Sequence, residues 1–150
     1  MPDSPSAPLP PPIERVLRQF RMMSRDEKMA ALVQFSKKLE PLPPRFADLD
    51  RAAFTVPECN TRVDIFPELR DGTMHFYADV NARQSPTVAA VLALLFGAVN
   101  DQPPSTTLAI PADFVRQLME SLGLGAREVG LNAMVERLRR YARDAEREAA

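Results

Sequence analysis

Residues 13–39 alternate apolar and polar positions with the period of an α-helix. Four apolar residues recur three and four positions apart and predict one helix face: Ile13, Val16, Leu17 and Phe20. A second helix is predicted to begin at Ser24, because Ser24 and Glu27 have the spacing of a capping box. Its predicted inward face carries Met29, Leu32, Val33, Ser36 and Leu39. The prolines from Pro41 onward end it.

Residues 62–80 have the two-residue period of β-strands. Asp71-Gly72 is a dipeptide preferred in two-residue type I′ hairpin turns. Pairing the chain about this turn places these apolar residues on one face: Val63, Ile65, Pro67, Leu69, Met74, Phe76, Ala78 and Val80. On the other face the predicted pairs are Phe66 with Tyr77, Glu68 with His75, and Asp64 with Asp79. Pro67 has no N–H to donate, so its strand must lie at the edge of the sheet or turn the side without a donor away from the neighbouring strand. Residues 53–56 are a candidate third strand.

The second half of the chain returns to helical patterns. Ser85-Pro86 predicts a cap and helix start, and residues 87–99 are apolar nearly all round, which is typical of a buried central helix. Residues 101–104 are predicted to be a loop. Pro111 is predicted to open a helix that buries Phe114, Val115, Leu118, Met119 and Leu122 and ends in a C-cap at Gly123. The last helix has the most regular stripe: Leu131, Met134, Val135, Leu138, Tyr141, Ala142 and Ala145. These elements predict an α+β domain with a small antiparallel sheet and helices packed on one face.

The composition separates a short tail from one domain. Residues 1–12 are rich in proline and lack periodicity, so we expect a disordered tail; a ligand for an SH3-like groove is the alternative. Residues 13–150 are expected to form a single domain, since 45% of the chain is hydrophobic. The chain start does not have the charge and apolar pattern of a secretory signal. The longest apolar run, residues 88–99, is shorter than the roughly 20 residues that cross a bilayer.

The charge and the reactive residues exclude several function classes. A net charge of −1 provides no basic field, so we expect no nucleic-acid partner. A single Cys and a single His cannot form an intramolecular disulfide or complete a Cys/His zinc site. We therefore expect no metal, no membrane and a cytoplasmic location, where a lone thiol stays reduced.

Most of the remaining polar candidates have a structural interpretation. His75 is expected at the surface, and Asp64 opposite Asp79 is expected to be neutralised by Arg62 or Arg83 rather than to hold a cation. The arginines at 137, 139, 140 and 143 are interspersed with acids and predict a solvated helix face. The methionines at 29, 119 and 134 are expected in the core.

Cys59 lies in the stretch VPECNTRVDI and has two interpretations. Free cysteine is often a small buried hydrophobe. Its neighbours Pro57, Glu58, Asn60 and Thr61 are turn formers or polar groups, however, and they place the thiol in a loop entering the hairpin.

Four stretches occur in the order found in the SufE family of sulfur-acceptor proteins, which work with a cysteine desulfurase in iron–sulfur cluster assembly. SKKLEPLP (36–43) resembles the family's Gly-Lys-x-Leu-Pro-x-Leu-Pro helix end, and VPECNTRV (56–63) its Val-x-Gly-Cys-Gln-Ser-x-Val loop. DGTMHFYADVNA (71–82) is similar to its Gly-x-x-x-Phe-x-Ala-Asp-Ser-Asp-Ala strand. REVGLNAMVERLRRYA (127–142) is similar to its Arg-x-Asn-Gly-Leu-x-Ala-Met-Val closing helix.

The resemblance implies a SufE/NifU-like fold and a function. Cys59 would accept persulfide sulfur from a SufS-like cysteine desulfurase, stimulating it, and would pass the sulfur to a SufBCD-like Fe–S scaffold complex. The chain would be a carrier rather than an enzyme and would need no cofactor, since pyridoxal phosphate belongs to the desulfurase. The resemblance implies that five further positions bind the partner or stabilise the sulfur. Arg127 and Asp79 match the family's residues there, Asn60 and Thr61 replace them conservatively, and Glu58 differs.

The chain also departs from the family pattern. Glu58 stands where the family has glycine before its cysteine, Asp64 where it often has tryptophan, and Val129 where it has asparagine. An adaptor that binds a desulfurase or another protein, with Cys59 structural, is therefore the main alternative. A one-cysteine redox sensor is a weaker one, because the chain has no resolving cysteine.

Overall fold

The fold combines helices with one β-hairpin in an α+β arrangement, as the sequence predicts. A computed structural model describes residues 11–59, 61–120, 122 and 127–149, and these form six α-helices and two strands. In chain order the elements are α1 (Pro11–Arg21), α2 (Arg25–Ser36), β1 (Asp64–Arg70), β2 (Thr73–Asp79), α3 (Pro86–Val99), α4 (Pro104–Leu108), α5 (Phe114–Leu118) and α6 (Arg127–Ala149). Two single-turn 3-10 helices, Pro44–Phe46 and Arg51–Ala53, lie between α2 and β1.

The hairpin has the predicted register at every pair. Asp64 lies opposite Asp79, Glu68 opposite His75, and Leu69 opposite Met74. The turn residues Asp71 and Gly72 have φ values of 52° and 80°, as a type I′ turn requires. The candidate third strand is reduced to one antiparallel bridge between Thr55 and Asp64.

Pro67 turns its donor-free side away from β2, as expected for a proline in a strand. Ile65 donates its N–H to the Phe54 carbonyl, 2.9 Å away on the side opposite β2. Residue 67 faces the same way as residue 65, because strand residues alternate direction. The missing N–H of Pro67 therefore interrupts no bond of the hairpin ladder.

The core lies between one face of the hairpin and the helices. α3 lies against β2, α1 and α2, while α6 lies against β1. The predicted central helix is confirmed, since α3 is buried on nearly every side. The predicted inward stripe of α6 is also confirmed; only Tyr141 in it is partly exposed. Leu69 is the exception on the hairpin's apolar face, because it lies near the turn and is 40% exposed.

The opposite face of the hairpin is covered by irregular chain rather than by helices. Phe46 lies with its ring centroid 5.0 Å from Phe66 and 5.1 Å from Tyr77. Leu42 and Phe54 complete this second, smaller apolar cluster. Residues 42–54 therefore pack against the sheet, and the loop that contains Cys59 follows them directly in the chain.

The predicted inward face of α2 is partly wrong: Leu32 is buried and Leu39 packs against the core as predicted, but Met29 and Val33 face outward. Met29 is 45% exposed and Val33 43% exposed, whereas Lys28 and Leu32 are buried. Lys28 faces inward because its Nζ donates to the Glu120 carbonyl, 2.6 Å away, while its apolar stem packs along the helix. The core assignments of the methionines at 119 and 134 are confirmed.

Several predicted boundaries also change. α1 begins at Pro11 rather than Ile13, and the first ten residues lie outside the described chain. The loop predicted at residues 101–104 ends one residue earlier, because α4 begins at Pro104, and α5 begins at Phe114 rather than Pro111. The predicted C-cap at Gly123 lies outside the described residues. No helix in the described ranges is long and apolar enough to cross a membrane.

His75 connects three segments rather than pointing into solvent. Its side chain is only 17% exposed, with Nδ1 at 3.0 Å from Asp101 and Nε2 at 2.8 Å from Glu40. Burial lowers the pKa of His75, but the hydrogen bonds to Asp101 and Glu40 outweigh burial and raise the pKa above its ordinary value. Only the imidazolium form can donate to both carboxylates at once.

The stability of the protein should therefore carry a pH dependence due to His75. The pKa of His75 in the folded protein lies above the unfolded value of about 6.5. The stabilisation that the charged imidazole provides is therefore fully present below about pH 6.5. It is lost as the pH rises through the folded pKa. We expect the advantage of wild type over His75→Gln in denaturant unfolding to shrink from mildly acidic to alkaline pH. A constant or growing advantage would contradict the assignment.

Candidate functional site

Cys59 ends a tight turn that leads into the hairpin. Its N–H donates to the Val56 carbonyl at 3.4 Å, and the Val56 N–H donates to the Val63 carbonyl at 2.9 Å. Pro57 occupies the second turn position, which favours its fixed φ. Glu58 follows with an ordinary negative φ, since Asp71 and Asp101 are the only described non-glycine residues with a positive one. The backbone therefore does not require glycine at position 58.

The thiol of Cys59 is partly buried against the core and lines a cavity of about 240 Å³. The cavity lies between the cysteine loop, the start of α3 and the start of α6. Its other lining residues are Glu58, Thr61, Gln84, Ser85, Val88, Arg127, Gly130 and Leu131. Four residues singled out from the sequence, Cys59, Glu58, Thr61 and Arg127, thus share one cavity.

Gly130 allows α6 to lie directly against the cysteine. A methyl group at Gly130 would be 2.9 Å from the Cα of Cys59 and 3.3 Å from both its Cβ and its Sγ. The first distance is shorter than real carbon contacts allow, so any other residue would displace the loop or the helix. Sequence analysis missed this role, although a glycine inside a strongly periodic helix costs about 1 kcal/mol relative to alanine and so signals a reason.

Two further contacts from α6 hold the segments beside the cysteine loop. Arg137 Nη2 donates to the Thr55 carbonyl at 3.0 Å, and the Tyr141 hydroxyl donates to the Ile65 carbonyl at 3.0 Å. Arg139 donates to the Leu108 and Ile110 carbonyls at 2.7 and 2.8 Å, closing the end of α4. The solvated-face prediction is therefore wrong for Arg137 and Arg139, whose guanidinium groups satisfy carbonyls at the ends of other segments.

Asp79 lies away from the cavity, in a separate charge cluster. Asp64, only 1% exposed, receives a hydrogen bond from the Thr55 hydroxyl. Arg51 Nη1 pairs with both Asp64, at 3.4 Å, and Asp79. Arg62 is also 3.4 Å from Asp64, as predicted, while Arg83 makes no ion pair with either acid within the described chain. Arg51, which the sequence analysis overlooked, is the main neutralising group because the 3-10 turn at 51–53 brings it to the sheet edge.

Ser85 occupies the predicted cap position of α3 but does not cap it. Its side chain makes no capping hydrogen bond; its Oγ lies 2.6 Å from the Oγ1 of Thr61. Ser85 is 8% exposed and Thr61 is half-buried, so this hydroxyl pair is only partly shielded from water. Asn60, the remaining predicted site residue, lies outside the described residues.

The charges around the cavity favour an anion. The 14-residue α3 and the 23-residue α6 both begin at the cavity, and helix N-termini carry partial positive charge. Arg127 adds a full positive charge at its rim, while Glu58 adds a negative one. Across the described ranges, no three His, Cys, Asp or Glu side chains are grouped to hold a metal ion.

The fold and the site define a small α+β protein that presents one partly sheltered thiol at the junction of two helices. Residues 14–142 match the SufE family, described as an Fe-S metabolism associated domain. The chain belongs to this family.

Known relatives and a solved structure agree with this assignment. An uncharacterised SufE-like protein from two strains of Mycobacterium tuberculosis is 30% identical over 93% of this chain and 97% of its own. One from Synechocystis sp. is 28% identical over 73% of this chain and 66% of its own. The solution structure of a hypothetical protein from Thermus thermophilus matches with a TM-score of 0.78 at 26% identity, covering 92% of this chain and 98% of that one.

The contact at Gly130 gives a prediction with a matched control. Gly130→Ala should lower the free energy of unfolding by about 1–3 kcal/mol, because the new methyl group overlaps Cys59. Gly97→Ala, in α3, meets nothing within 4 Å and should be neutral or stabilising by up to about 1 kcal/mol. Denaturant unfolding of both variants tests this, and equal effects would show that the contact at 130 is not tight.

Proposed function

We propose that this protein accepts sulfane sulfur on Cys59 from the persulfide of a cysteine desulfurase and passes it to an Fe–S cluster scaffold. The observation that carries the proposal is the cavity beside the thiol. Its volume of about 240 Å³ far exceeds the about 30 Å³ that one water molecule occupies in the liquid, so it has room for an added sulfur atom. Membership in a family associated with Fe–S metabolism supports the same function.

The transfer needs one nucleophile and no cofactor on this chain. The Cys59 thiolate attacks the terminal sulfur of the donor persulfide, and a new S–S bond forms while the donor's own S–S bond breaks. The electron pair of the broken bond leaves on the donor cysteine as a thiolate. One sulfur atom moves and no net oxidation occurs. Pyridoxal phosphate would serve the desulfurase, which generates the donor persulfide.

The cavity residues have different roles in this step. Arg127 and the starts of α3 and α6 would stabilise the thiolate before attack and the persulfide anion after it. Thr61 would contribute a hydroxyl to the same space. Asp79 belongs to the Arg51 ion-pair cluster and would act indirectly, by holding the sheet edge beside the loop. The reducing cytosol would keep Cys59 available as a thiol.

One observation favours the adaptor alternative. Cys59 packs against the main core and touches Gly130 closely, as a structural cysteine would. In that case the protein would bind a desulfurase without receiving sulfur. The two functions differ in whether the sulfur atom of Cys59 is needed.

Desulfurase kinetics distinguish the carrier from the adaptor. A cysteine desulfurase turning over cysteine should release alanine faster when this protein is added, and Cys59→Ser should abolish the stimulation. Serine is nearly the size of cysteine and preserves the fold, so binding should persist. Stimulation that is equal for wild type and Cys59→Ser, with equal affinity for the desulfurase, would favour the adaptor.

Glu58 offers a second prediction. Its backbone does not need glycine, so its effect on sulfur acceptance should come from its negative charge at the cavity. Glu58→Gly should raise the rate of sulfur transfer to Cys59, and Glu58→Gln should produce most of the same gain. Single-turnover transfer from a loaded desulfurase measures both. A lower or unchanged rate in both variants would refute the electrostatic explanation.

A further inference from the structure

The hydroxyl pair formed by Thr61 and Ser85 is the least explained polar feature of the cavity. Thr61 follows the cysteine loop, and Ser85 precedes α3, so their bond joins two walls of the same cavity. A serine at a helix start ordinarily accepts a hydrogen bond from the first turn of the helix. Ser85 does not, and its hydroxyl lies 2.6 Å from Thr61 instead.

The pair has one hydroxyl hydrogen left over. Each hydroxyl can donate one hydrogen, and the bond between Thr61 and Ser85 uses only one of the two. Over the described part of the chain, neither side chain forms another hydrogen bond. The acceptor for the spare hydrogen must therefore lie in the space of the cavity that both residues line. The spare donor belongs to two residues that both line the cavity beside the Cys59 thiol.

We propose that the Thr61–Ser85 hydroxyl pair donates its spare hydrogen to the outer sulfur of a Cys59 persulfide and thereby holds that sulfur in the cavity. The inference rests on the proposed function and names the groups that retain the sulfur after transfer. A persulfide anion is a charged acceptor, and hydrogen bonds to charged acceptors are about twice as strong as neutral ones. Donation from one hydroxyl also strengthens the bond between the two, because linked hydrogen bonds polarise one another.

Retention protects the sulfur until a partner removes it. An attacking reductant must reach the outer sulfur and take it, which leaves the Cys59 thiolate behind. A sulfur held against Ser85 lies beside the start of α3, whereas an unheld sulfur can rotate toward the open surface that Cys59 also lines with Val56 and Arg62. The pair is thus a positioning device, and the chemistry remains with Cys59.

The test loads sulfur without a desulfurase. The full chain is incubated with inorganic polysulfide, whose sulfur–sulfur bond is broken by the Cys59 thiolate with departure of the shorter polysulfide anion. After desalting, a phosphine reductant is added, and the fraction of protein that keeps one extra sulfur atom is followed by intact mass. Ser85→Ala and Thr61→Val each break the bond that holds the remaining hydroxyl in position, and we expect each to shorten the persulfide lifetime on the order of tenfold.

Two further variants separate positioning from a general loss of structure. Ser85→Thr keeps the hydroxyl and should retain most of the wild-type lifetime. Ser36→Ala removes a hydroxyl that bonds the Val33 carbonyl in α2, outside the cavity, and should leave the lifetime unchanged. The unfolding midpoint of Ser85→Ala should stay close to that of Ser85→Thr, because Ser85 does not cap α3.

Two results would overturn the inference. The first is an equal persulfide lifetime in wild type, Ser85→Ala and Thr61→Val; the second is failure of wild-type Cys59 to take up sulfur from polysulfide. If a desulfurase still loads Cys59 in either case, the proposed function stands and only the hydroxyl pair is rejected. If Cys59 holds polysulfide sulfur through the pair but receives none from a desulfurase, the pair stands and the proposed donor is rejected.

Discussion

The close approach of α6 to the cysteine loop is the constraint on which the site depends. The helix can lie there only because residue 130 has no side chain, since even a methyl group would overlap the backbone of Cys59. The same approach places Arg127 at the rim of the cavity and Leu131 in its wall. Further along the helix, Arg137 and Tyr141 fix the segments on either side of the loop through carbonyl hydrogen bonds. One helix therefore forms the cavity and also fixes the thiol within it.

A thiol held in this way is sheltered on one side, while a cavity lies beside it on another. Close packing limits the access of adventitious oxidants and reductants, which suits a group that carries a labile sulfur atom. The starts of α3 and α6 and the charge of Arg127 favour an anion at the same place. The apolar clusters on the two faces of the hairpin bury the strand that follows the loop, so the loop is anchored where it enters β1.

Much of the fold could be predicted from the sequence because local signals were strong. Asp71-Gly72 predicted the hairpin register, and the continuous apolar sequence of α3 predicted its burial on nearly every side. The apolar stripe of α6 predicted which face of that helix is buried. The residues whose positions or partners were not predicted share one feature: they make contacts with residues far away in the chain. Lys28 turned inward because a carbonyl near residue 120 accepts its amine, which shifted the predicted face of α2. Arg51 and the bonding of Ser85 to Thr61 depend equally on the tertiary fold. Among these residues, only Gly130 could have been identified from its local sequence, because glycine is unfavourable within a regular helix.

The most direct test of the sulfur-carrier function is the mass of the protein after one round of transfer. The protein is mixed with a cysteine desulfurase, pyridoxal phosphate and cysteine, then quenched without reductant and analysed intact and after proteolysis. The account predicts one extra sulfur atom, located on the peptide that contains Cys59. A desulfurase that turns over and yet leaves Cys59 without added sulfur would contradict it.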